Sequence, residues 1–336
     1  MNTAIEFIAY IQRMLVEGDF TATYKYALLH AIADVCVESP NVTVNGKLSI
    51  SLDVLADKLI RLYWNQARPF GGQAHQQQLH QNSDLQKQIA IISKVQSIQQ
   101  TGLYNINQLY KSPHYKTLHS VSKTALKNGP LWRLQILAKK EECFLYPHDK
   151  SQKHIELNAG IAGYFREFYH LITYLARAAW IDKIISFKHN QYLVGVQANL
   201  PEFLFGQDRK ALAYAKPLLQ EIQKNTCFYC GKKLDQHSEV DHFIPFAKYA
   251  FDLGHNFVLA DRTCNNSKRD YLASYEHKYK WEESNLGNHA NLICEQLASY
   301  VECDTEKSMA VADWAYQIAR NSASNLWQSK SEFRLA

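Results

Sequence analysis

The sequence predicts a mainly α-helical protein, with a helical N-terminal domain, a zinc-stabilised ββα-metal module and C-terminal helices. Apolar residues recur at helical spacing through the first and last parts of the chain. Between Cys227 and Lys268, four short segments rich in cysteine, aspartate and asparagine interrupt this pattern. We therefore expect domains at 1–205, 206–275 and 276–336, and the 336 residues are long enough for more than one core.

Helix signals come first in the N-terminal domain. Ser51 precedes a run of apolar and acidic residues and is typical of a helix cap. A further helical stretch is predicted from Ser83 to about Gln100. Residues 162–187 read as one long aromatic-rich helix, in which Trp180 and Tyr174 are expected in the core.

The pattern breaks between Pro201 and Gly206. A helix capped by Asp208 is predicted to follow and to run through Ile222. After Leu272 the helical pattern returns, from about Tyr275 to Trp327. No chemical motif is recognisable in this last part.

Bulk properties exclude some classes of protein. No apolar run is long enough to cross a membrane, and the first residues lack the basic start and apolar stretch of a secretion signal. We therefore expect a cytoplasmic protein without a membrane partner. The seven cysteines are odd in number and widely spaced, which argues against a secreted disulfide framework.

The net charge of +5 is unevenly distributed. Residues 1–207 carry 21 Lys and Arg against 15 Asp and Glu, and residues 208–280 carry 12 against 9. Residues 281–336 carry 4 against 8. The two basic segments suit an acidic polymer, although a mixed solvated surface explains the same counts.

The Cys227-Phe228-Tyr229-Cys230 segment predicts a structural zinc site. Two cysteines separated by two residues can direct both sulfurs at one tetrahedral ion, and Gly231 lets the chain turn back. Cys264 supplies a third thiolate. Asp261 is the candidate for the fourth ligand, with His237 as the alternative.

The segment from Glu239 to Pro245 carries the candidate catalytic residues. His242 suits a general base because its ordinary pKa lies near neutrality. Asp241 suits an anionic metal ligand. Neighbouring residues on a strand face opposite sides, so both reach one site only if the strand bulges or ends there, and Pro245 favours an end.

The next two segments complete a ββα pattern. Residues 256–260 read as a second strand, and residues 263–271 as a helix. Asn256 is expected to hold the loop between the strands through side-chain hydrogen bonds. Asn265, one turn into the helix, is expected to point back at the metal.

Residues 225–272 resemble the HNH nuclease family. His242, Asn256 and Asn265 match the three named positions as an H-N-N variant, as in the HNH domain of the CRISPR RNA-guided nuclease. The resemblance implies one-metal hydrolysis of DNA by Mg²⁺ or Mn²⁺ bound to Asp241 and Asn265. It also implies that the helix enters the minor groove of double-stranded DNA.

Three basic residues gain a predicted role from the same resemblance. Lys268 matches a basic position of the family that steadies a phosphate or the transition state. Arg262 and Arg269 are expected to contact the nucleic-acid backbone. The expected products are a 5′-phosphate and a 3′-hydroxyl.

The N-terminal domain has no Gly-rich phosphate loop, and its role stays open between DNA positioning, partner docking and regulation. The segment 62–66 loosely resembles helical domains that precede HNH modules in bacterial anti-phage defence, such as the nuclease component of a Zorya-type system. Other defence proteins are then expected partners. The alternatives are a catalytically inactive, zinc-stabilised subunit that binds DNA or protein, and a nuclease directed at RNA.

Overall fold

A computed structural model describes residues 3–40, 42–43, 45–70, 77–84, 87–194, 199–206 and 210–336. The chain divides into two compact units. The N-terminal unit comprises Met1–Val37 and Val42–Gly206, and the C-terminal unit comprises Glu38–Asn41 and Gln207–Ala336. The predicted cap Asp208 lies outside the described residues.

Helices dominate the N-terminal part of the chain, as the apolar periodicity predicts. Its elements are α1 (Ala4–Glu17), α2 (Tyr24–Glu38), β1 (Leu48–Ser51), α3 (Leu52–Trp64), α4 (Ala90–Gln99), α5 (Ile106–Leu109), α6 (His114–Asn128), α7 (Pro130–Arg133), β2 (Ile136–Leu137), β3 (Lys140–Glu141), β4 (His154–Leu157), α8 (Ile161–Glu167), α9 (Tyr169–Ser186), α10 (Gln191–Val194) and α11 (Leu200–Phe205).

Two small antiparallel sheets and local caps organise these helices. β1 pairs with β4, with Leu48 opposite Leu157. β2 and β3 form a short hairpin. The Ser51 hydroxyl accepts a hydrogen bond from the backbone N–H of Asp53, so β1 passes directly into a capped α3.

The helix predicted from Ser83 begins later, at Ala90. The reason is backbone pairing with the chain before α2. The Ser83 N–H donates to the Thr21 carbonyl, and the Thr23 N–H donates to the Gln81 carbonyl. These bonds hold the segment extended, and a helix there would break them.

The helix predicted over 162–187 is two helices, because Phe168 leaves the helical conformation between α8 and α9. Trp180 lies in the core, as expected, with none of its surface exposed. The prediction for Tyr174 is wrong, since 72% of its surface is exposed. The buried positions of α9, such as Ile172, Ala176 and Trp180, follow helical spacing, and Tyr174 falls on the opposite face.

The C-terminal unit contains the cysteine and asparagine segments and the chain that follows them. Its elements are α12 (Lys210–Ile222), β5 (Glu239–His242), a 3₁₀ turn (Gly254–Asn256), β6 (Phe257–Ala260), α13 (Arg262–Lys268), α14 (Tyr275–Trp281), a π-helix (Glu282–Asn288), α15 (Ala290–Leu297), α16 (Thr305–Asn321), β7 (Asn325–Ser329) and β8 (Glu332–Leu335).

The helical pattern predicted as far as Trp327 stops at Asn321, and Trp327 belongs to the β7–β8 hairpin. Its backbone pairs with Leu272 and Ser274, and its indole N–H donates to the Ser267 hydroxyl at 3.0 Å. This pairing places a fully buried aromatic ring against the end of α13.

One hydrophobic core supports β6 from behind. Leu219 of α12, Ile293 and Leu297 of α15, and Phe257 and Leu259 of β6 are all buried in it. The strand that pairs with β5 is therefore anchored to the unit's interior. Within the described part of the chain, no helix combines the length and apolar character that crossing a bilayer requires.

Candidate functional site

The strand pair β5–β6 and helix α13 form a ββα arrangement. Asp241 lies opposite Val258, and His242 lies opposite Phe257. The register is regular, and His242 is the last residue of β5. Alternation along β5 places Glu239 and Asp241 on one face and His242 on the other.

Asn256 ties the loop between the strands to the end of β5. Its side-chain oxygen accepts from the Ile244 N–H at 2.7 Å, and its amide donates to the Ile244 carbonyl at 2.9 Å. The residue is buried, so both bonds are shielded from water. This two-point clamp sets where the chain leaves β5 beyond His242.

The sulfur atoms of Cys227, Cys230 and Cys264 all lie within 4.8 Å of one another, and we call them the thiol group. Gly231 has φ +71°, the left-handed conformation that the turn after the second cysteine requires. The Asp261 N–H donates to the Cys227 sulfur at 3.2 Å. Three convergent thiols fit the ligand chemistry of zinc.

The fourth-ligand candidates do not join the thiol group. The Asp261 carboxylate accepts from the Thr263 N–H at 2.9 Å and caps α13 instead. His237 lies in the turn before β5, where its backbone N–H donates to the Asp235 carboxylate. The structure therefore assigns Asp261 a capping contact.

The thiols are electrostatically unequal. Burial, and then the neighbouring sulfurs, raise the pKa of Cys264. For Cys230 burial acts in the same direction, but hydrogen bonds from the Lys232 backbone and the other thiols outweigh it and lower the pKa. The Lys280 ammonium, which donates to the Phe228 carbonyl, adds a positive charge beside Cys227 and Cys230. A cation there favours the thiolate form that a zinc ligand needs.

Glu239, Asp241 and Asn265 supply carboxylate and amide oxygens on one face of the ββα arrangement, and we call them the oxygen group. The Asn265 amide donates to Glu239 at 2.7 Å. The buried Asp241 carboxylate accepts from the Tyr229 hydroxyl at 2.6 Å and pairs with the Lys268 ammonium at 3.0 Å. Burial, and then the Asp241 charge, raise the pKa of Tyr229, which therefore stays a donor.

Lys268 connects the two faces of β5. Its fully buried ammonium donates to the His242 carbonyl at 2.8 Å while it pairs with Asp241. The structure thus places this cation inside the site, where it holds the strand to α13.

The His242 imidazole lies beside a carboxylate and two aromatic rings. Its Nε2 is 2.7 Å from Asp252 Oδ1. The rings of Phe246 and Phe257 lie 5.6 and 5.1 Å away. These contacts differ from those of Asp241 and Asn265, and Lys268 provides the connection through the His242 backbone.

Arg262 and Arg269 are both exposed at the ends of α13. Arg262 Nε lies 3.6 Å from Glu239. Arg269 has φ +47°, which is strained for any residue except glycine. Such a backbone conformation persists only where the surrounding structure holds it.

Three participants were not predicted: Glu239, Tyr229 and Asp252. Glu239 precedes the Asp-His pair by two residues, and strand alternation could have placed it beside Asp241. Tyr229 lies inside the cysteine segment and gave no signal of its own. Asp252 lies ten residues after His242 in an irregular loop, where no spacing rule applies.

A second set of ligand-type atoms belongs to Glu141, Cys143 and His148 in the N-terminal unit. The Gln135 amide donates to the Tyr146 carbonyl and lies 3.1 Å from His148 Nε2. Since that amide can only donate, Nε2 accepts and the ring proton sits on Nδ1, facing Glu141 at 3.1 Å. This arrangement is a hydrogen-bonded cluster that leaves Nδ1 without a lone pair for a metal.

Comparison with known families identifies the class of the ββα module. Residues 227–274 match the family model described as HNH endonuclease, and this part of the chain is an HNH endonuclease domain. The chain as a whole belongs to the family described as "Domain of unknown function (DUF8808)", whose model matches residues 4–200. No curated protein and no solved structure matches the chain.

Proposed function

We propose that the chain is a metal-dependent endonuclease or nickase that hydrolyses phosphodiester bonds of double-stranded DNA. One observation carries the proposal. The α13 face with Asn265 and Lys268 contacts the β5 face with Glu239 and Asp241, directly beside His242. This contact supports a site in which oxygen ligands, a candidate base and a cation act together at the end of β5.

The oxygen group fits a hard divalent cation. Asp241 and Asn265 are the proposed ligands, as an H-N-N site requires, and Glu239 adds a third oxygen donor through its contact with Asn265. Carboxylate and amide oxygens favour Mg²⁺ or Mn²⁺ over softer ions. Such an ion would supply charge neutralisation at the phosphate and at the leaving 3′-oxygen.

His242 is the proposed general base. Its Nε2 is held by the Asp252 carboxylate, which favours the tautomer with the proton on Nε2. Nδ1 is then the nitrogen that accepts a proton from the attacking water. Asp252 positions the ring, as a carboxylate does for the histidine of a hydrolase triad.

The basic residues have two proposed roles: Lys268 positions other residues of the site, and Arg262 and Arg269 bind DNA. The buried Lys268 holds Asp241 and the His242 backbone in place. The exposed Arg262 and Arg269 flank α13 and contact phosphates of the DNA. Zinc bound to the thiol group stabilises the module, and Mg²⁺ or Mn²⁺ serves the reaction.

The proposal extends to a cytoplasmic role in bacterial anti-phage defence, together with other defence proteins. Its support is the loose resemblance of the segment 62–66 to helical domains that precede HNH modules in such systems. The matched N-terminal family carries no function in its description. Expression of the wild type and of His242→Ala in a bacterial host, followed by plaque counts, tests this role.

Plasmid nicking tests the nuclease directly. With Mg²⁺, the wild type should convert supercoiled DNA to the nicked or linear form. His242→Ala should lower the rate by about 10²- to 10⁴-fold, the usual contribution of a general base. His289→Ala, a partly buried histidine of the same unit, is the matched control and should cleave normally.

Three outcomes would contradict the proposal. Cleavage that survives His242→Ala would remove the base from the mechanism. Metal-independent DNA binding without cleavage, equal in both proteins, would make the chain a binding subunit. A preference for RNA at matched salt would change the substrate class.

Asp252→Asn isolates the positioning role. The amide preserves size but removes the charge that faces Nε2. We expect kcat to fall roughly tenfold with little change in KM, and Asp252→Glu to recover part of the loss. A change confined to KM would show that Asp252 serves substrate binding instead.

A further inference from the structure

The N-terminal unit contains a cleft of about 710 Å³. Four segments line it: the end of α1, the start of α2, the α6–α7 junction and the β2–β3 hairpin. Its volume lies in the range of small-molecule sites. None of the residues assigned to the nuclease site lines it.

Cations from three of these segments line the cleft: Lys25, Arg133 and Lys139. Two acids also line it, but Glu17 already pairs with Arg13 at 3.0 Å. Asp19 is then the remaining carboxylate. Among the ion pairs formed by residues that the structure describes, none involves Lys25, Arg133 or Lys139. The cleft therefore has an excess of positive charge.

Lys25 is the most constrained of the three cations. Only 8% of its surface is exposed, and its ammonium lies 5.0 Å from the centre of the Phe20 ring. Burial lowers its pKa, Asp19 acts in the opposite direction, and Arg133 lowers it further. A buried cation that faces a second cation is stabilised by an anion placed between them.

The hairpin that carries Lys139 is strained. Ala138 and Lys139 have φ values of +45° and +68°, in a two-residue turn that normally takes Asn-Gly. Both residues line the cleft. Strain of this kind persists where the surrounding structure holds it, and it is concentrated at ligand sites. The turn keeps a lysine at a position where glycine would fit better.

We propose that this cleft binds a nucleotide through its phosphate monoester. A phosphate monoester carries a charge of about −1.5 to −2 at neutral pH, which balances the cationic excess. The Arg133 guanidinium can bind two phosphate oxygens at once. Tyr24, Pro130 and Ile136 supply an aromatic and apolar wall for the base. This site is independent of the nuclease proposal.

Calorimetric titration of the full chain without added divalent cation tests the site. The probes are adenosine 5′-monophosphate, adenosine and inorganic phosphate. We expect the monophosphate to bind at least about tenfold more tightly than adenosine, because charge-assisted hydrogen bonds depend on the phosphate. Arg133→Gln and Lys139→Gln should each weaken its binding by about ten- to a hundredfold.

Lys140→Gln is the matched control, since Lys140 is exposed on the same hairpin and does not line the cleft. Its affinity should equal that of the wild type. Arg133 and Lys139 are exposed, so their substitutions should leave the far-UV circular dichroism unchanged. Lys25→Gln adds the buried cation to the series and should weaken binding as well.

A second arm separates two sources of the same chemistry. A short oligonucleotide is compared with and without a 5′-phosphate, in the wild type and in Arg133→Gln. The cleft is assigned to a strand end if the 5′-phosphorylated oligonucleotide binds more tightly than both its unphosphorylated form and the monophosphate. This advantage should disappear in Arg133→Gln. Equal or tighter binding of the monophosphate assigns it to a free nucleotide.

The proposal is overturned if adenosine binds as well as its monophosphate. It is also overturned if Arg133→Gln and Lys139→Gln bind like the wild type, or if no probe binds at millimolar concentration. Loss of nicking activity in His242→Ala has no bearing on these results, so the two proposals fail separately.

Discussion

The thiol group and the oxygen group lie on the same two strands and helix, yet their ligand atoms are engaged differently. The three sulfurs converge on one another, with a backbone N–H and the Lys280 charge nearby. In the oxygen group each side chain contacts another side chain: Asp241 contacts Lys268 and Tyr229, and Asn265 donates to Glu239. Ligand atoms that already converge suit a metal ion that stays bound. Ligand atoms of side chains that contact other side chains suit a metal ion that must compete with those contacts.

Removing the proposed zinc should have the largest effect. A structural zinc site contributes on the order of 10 kcal/mol to folding, so Cys264→Ser should lose the metal and destabilise the C-terminal unit. Elemental analysis should show zinc falling from about one ion per chain to almost none. Thermal unfolding followed by circular dichroism should show the matching loss of stability.

Cys143→Ser is the control for that experiment, because this thiol belongs to the N-terminal unit and lies outside the thiol group. It should keep both zinc and stability. Unchanged zinc in Cys264→Ser would mean that the converging sulfurs do not bind the metal, and the contrast between the two groups would disappear.

The Asp241–Lys268 pair tests whether the oxygen group also supports the fold. Removing either partner of a buried ion pair costs about 3 to 5 kcal/mol, so Asp241→Leu and Lys268→Met should each lower the free energy of unfolding in urea. The double variant should recover much of the loss. Arg262→Met breaks an exposed contact and should cost less than about 1 kcal/mol.

Strictly additive losses in the double variant would contradict this account. They would show that the two side chains stabilise the unit independently. The oxygen group would then be as free to bind a metal as the thiol group.

Acid should weaken the C-terminal unit by a smaller amount. Burial lowers the pKa of His255 and of His277 below the ordinary value of about 6.5. The unfolded chain therefore takes up protons first as the pH falls, and stability is full above that value and lost below it. Each histidine contributes at most about 1.4 kcal/mol per pH unit.

Urea unfolding between pH 7 and 5.5 measures this loss, and His255→Gln should reduce its slope. The His277 ring contacts the rings of Tyr229 and Trp327. Its protonation therefore also affects the segment between Cys227 and Cys230, which contains Tyr229. A stability that rises on acidification would contradict the assigned direction.

Arg269→Gly should have the smallest effect and the opposite sign. Glycine relieves the strain of the positive φ and should stabilise the fold by about 1 kcal/mol. It also removes one proposed phosphate contact, so the salt dependence of DNA binding should fall by about one unit of slope.

Arg262→Gly is the matched control, since Arg262 is the exposed first residue of α13 and has no positive φ for glycine to relieve. It should reduce the salt slope equally without the gain in stability. If Arg269→Gly bound DNA like the wild type, the strained residue would have no role at the phosphate backbone.

Local signals predicted much of the HNH domain. The cysteine spacing indicated the thiol group, and the asparagine before β6 indicated the clamp on Ile244. Both signals depend either on residues that are close in the sequence or on the order of residues in a family motif. The Asp252 contact with His242 could not be predicted, since the loop that returns the carboxylate has no periodicity. Tyr174 was misplaced because an aromatic-rich helix leaves its inward face ambiguous.

The nucleotide cleft lay beyond sequence reasoning for a different reason. Its cations come from positions 25, 133 and 139, which no motif connects. The strained turn at Ala138 and Lys139 also gives no signal, because the residues expected at positive φ are glycine and asparagine. Only tertiary structure brings these features together.

The buried ammonium of Lys268 has an evolutionary consequence. Because it meets both the carboxylate of Asp241 and the backbone of His242, loss of either charged partner alone would leave a buried charge unpaired. Degenerate descendants should replace the acid and the lysine together by apolar residues. The two residues should therefore be kept together or lost together among related chains.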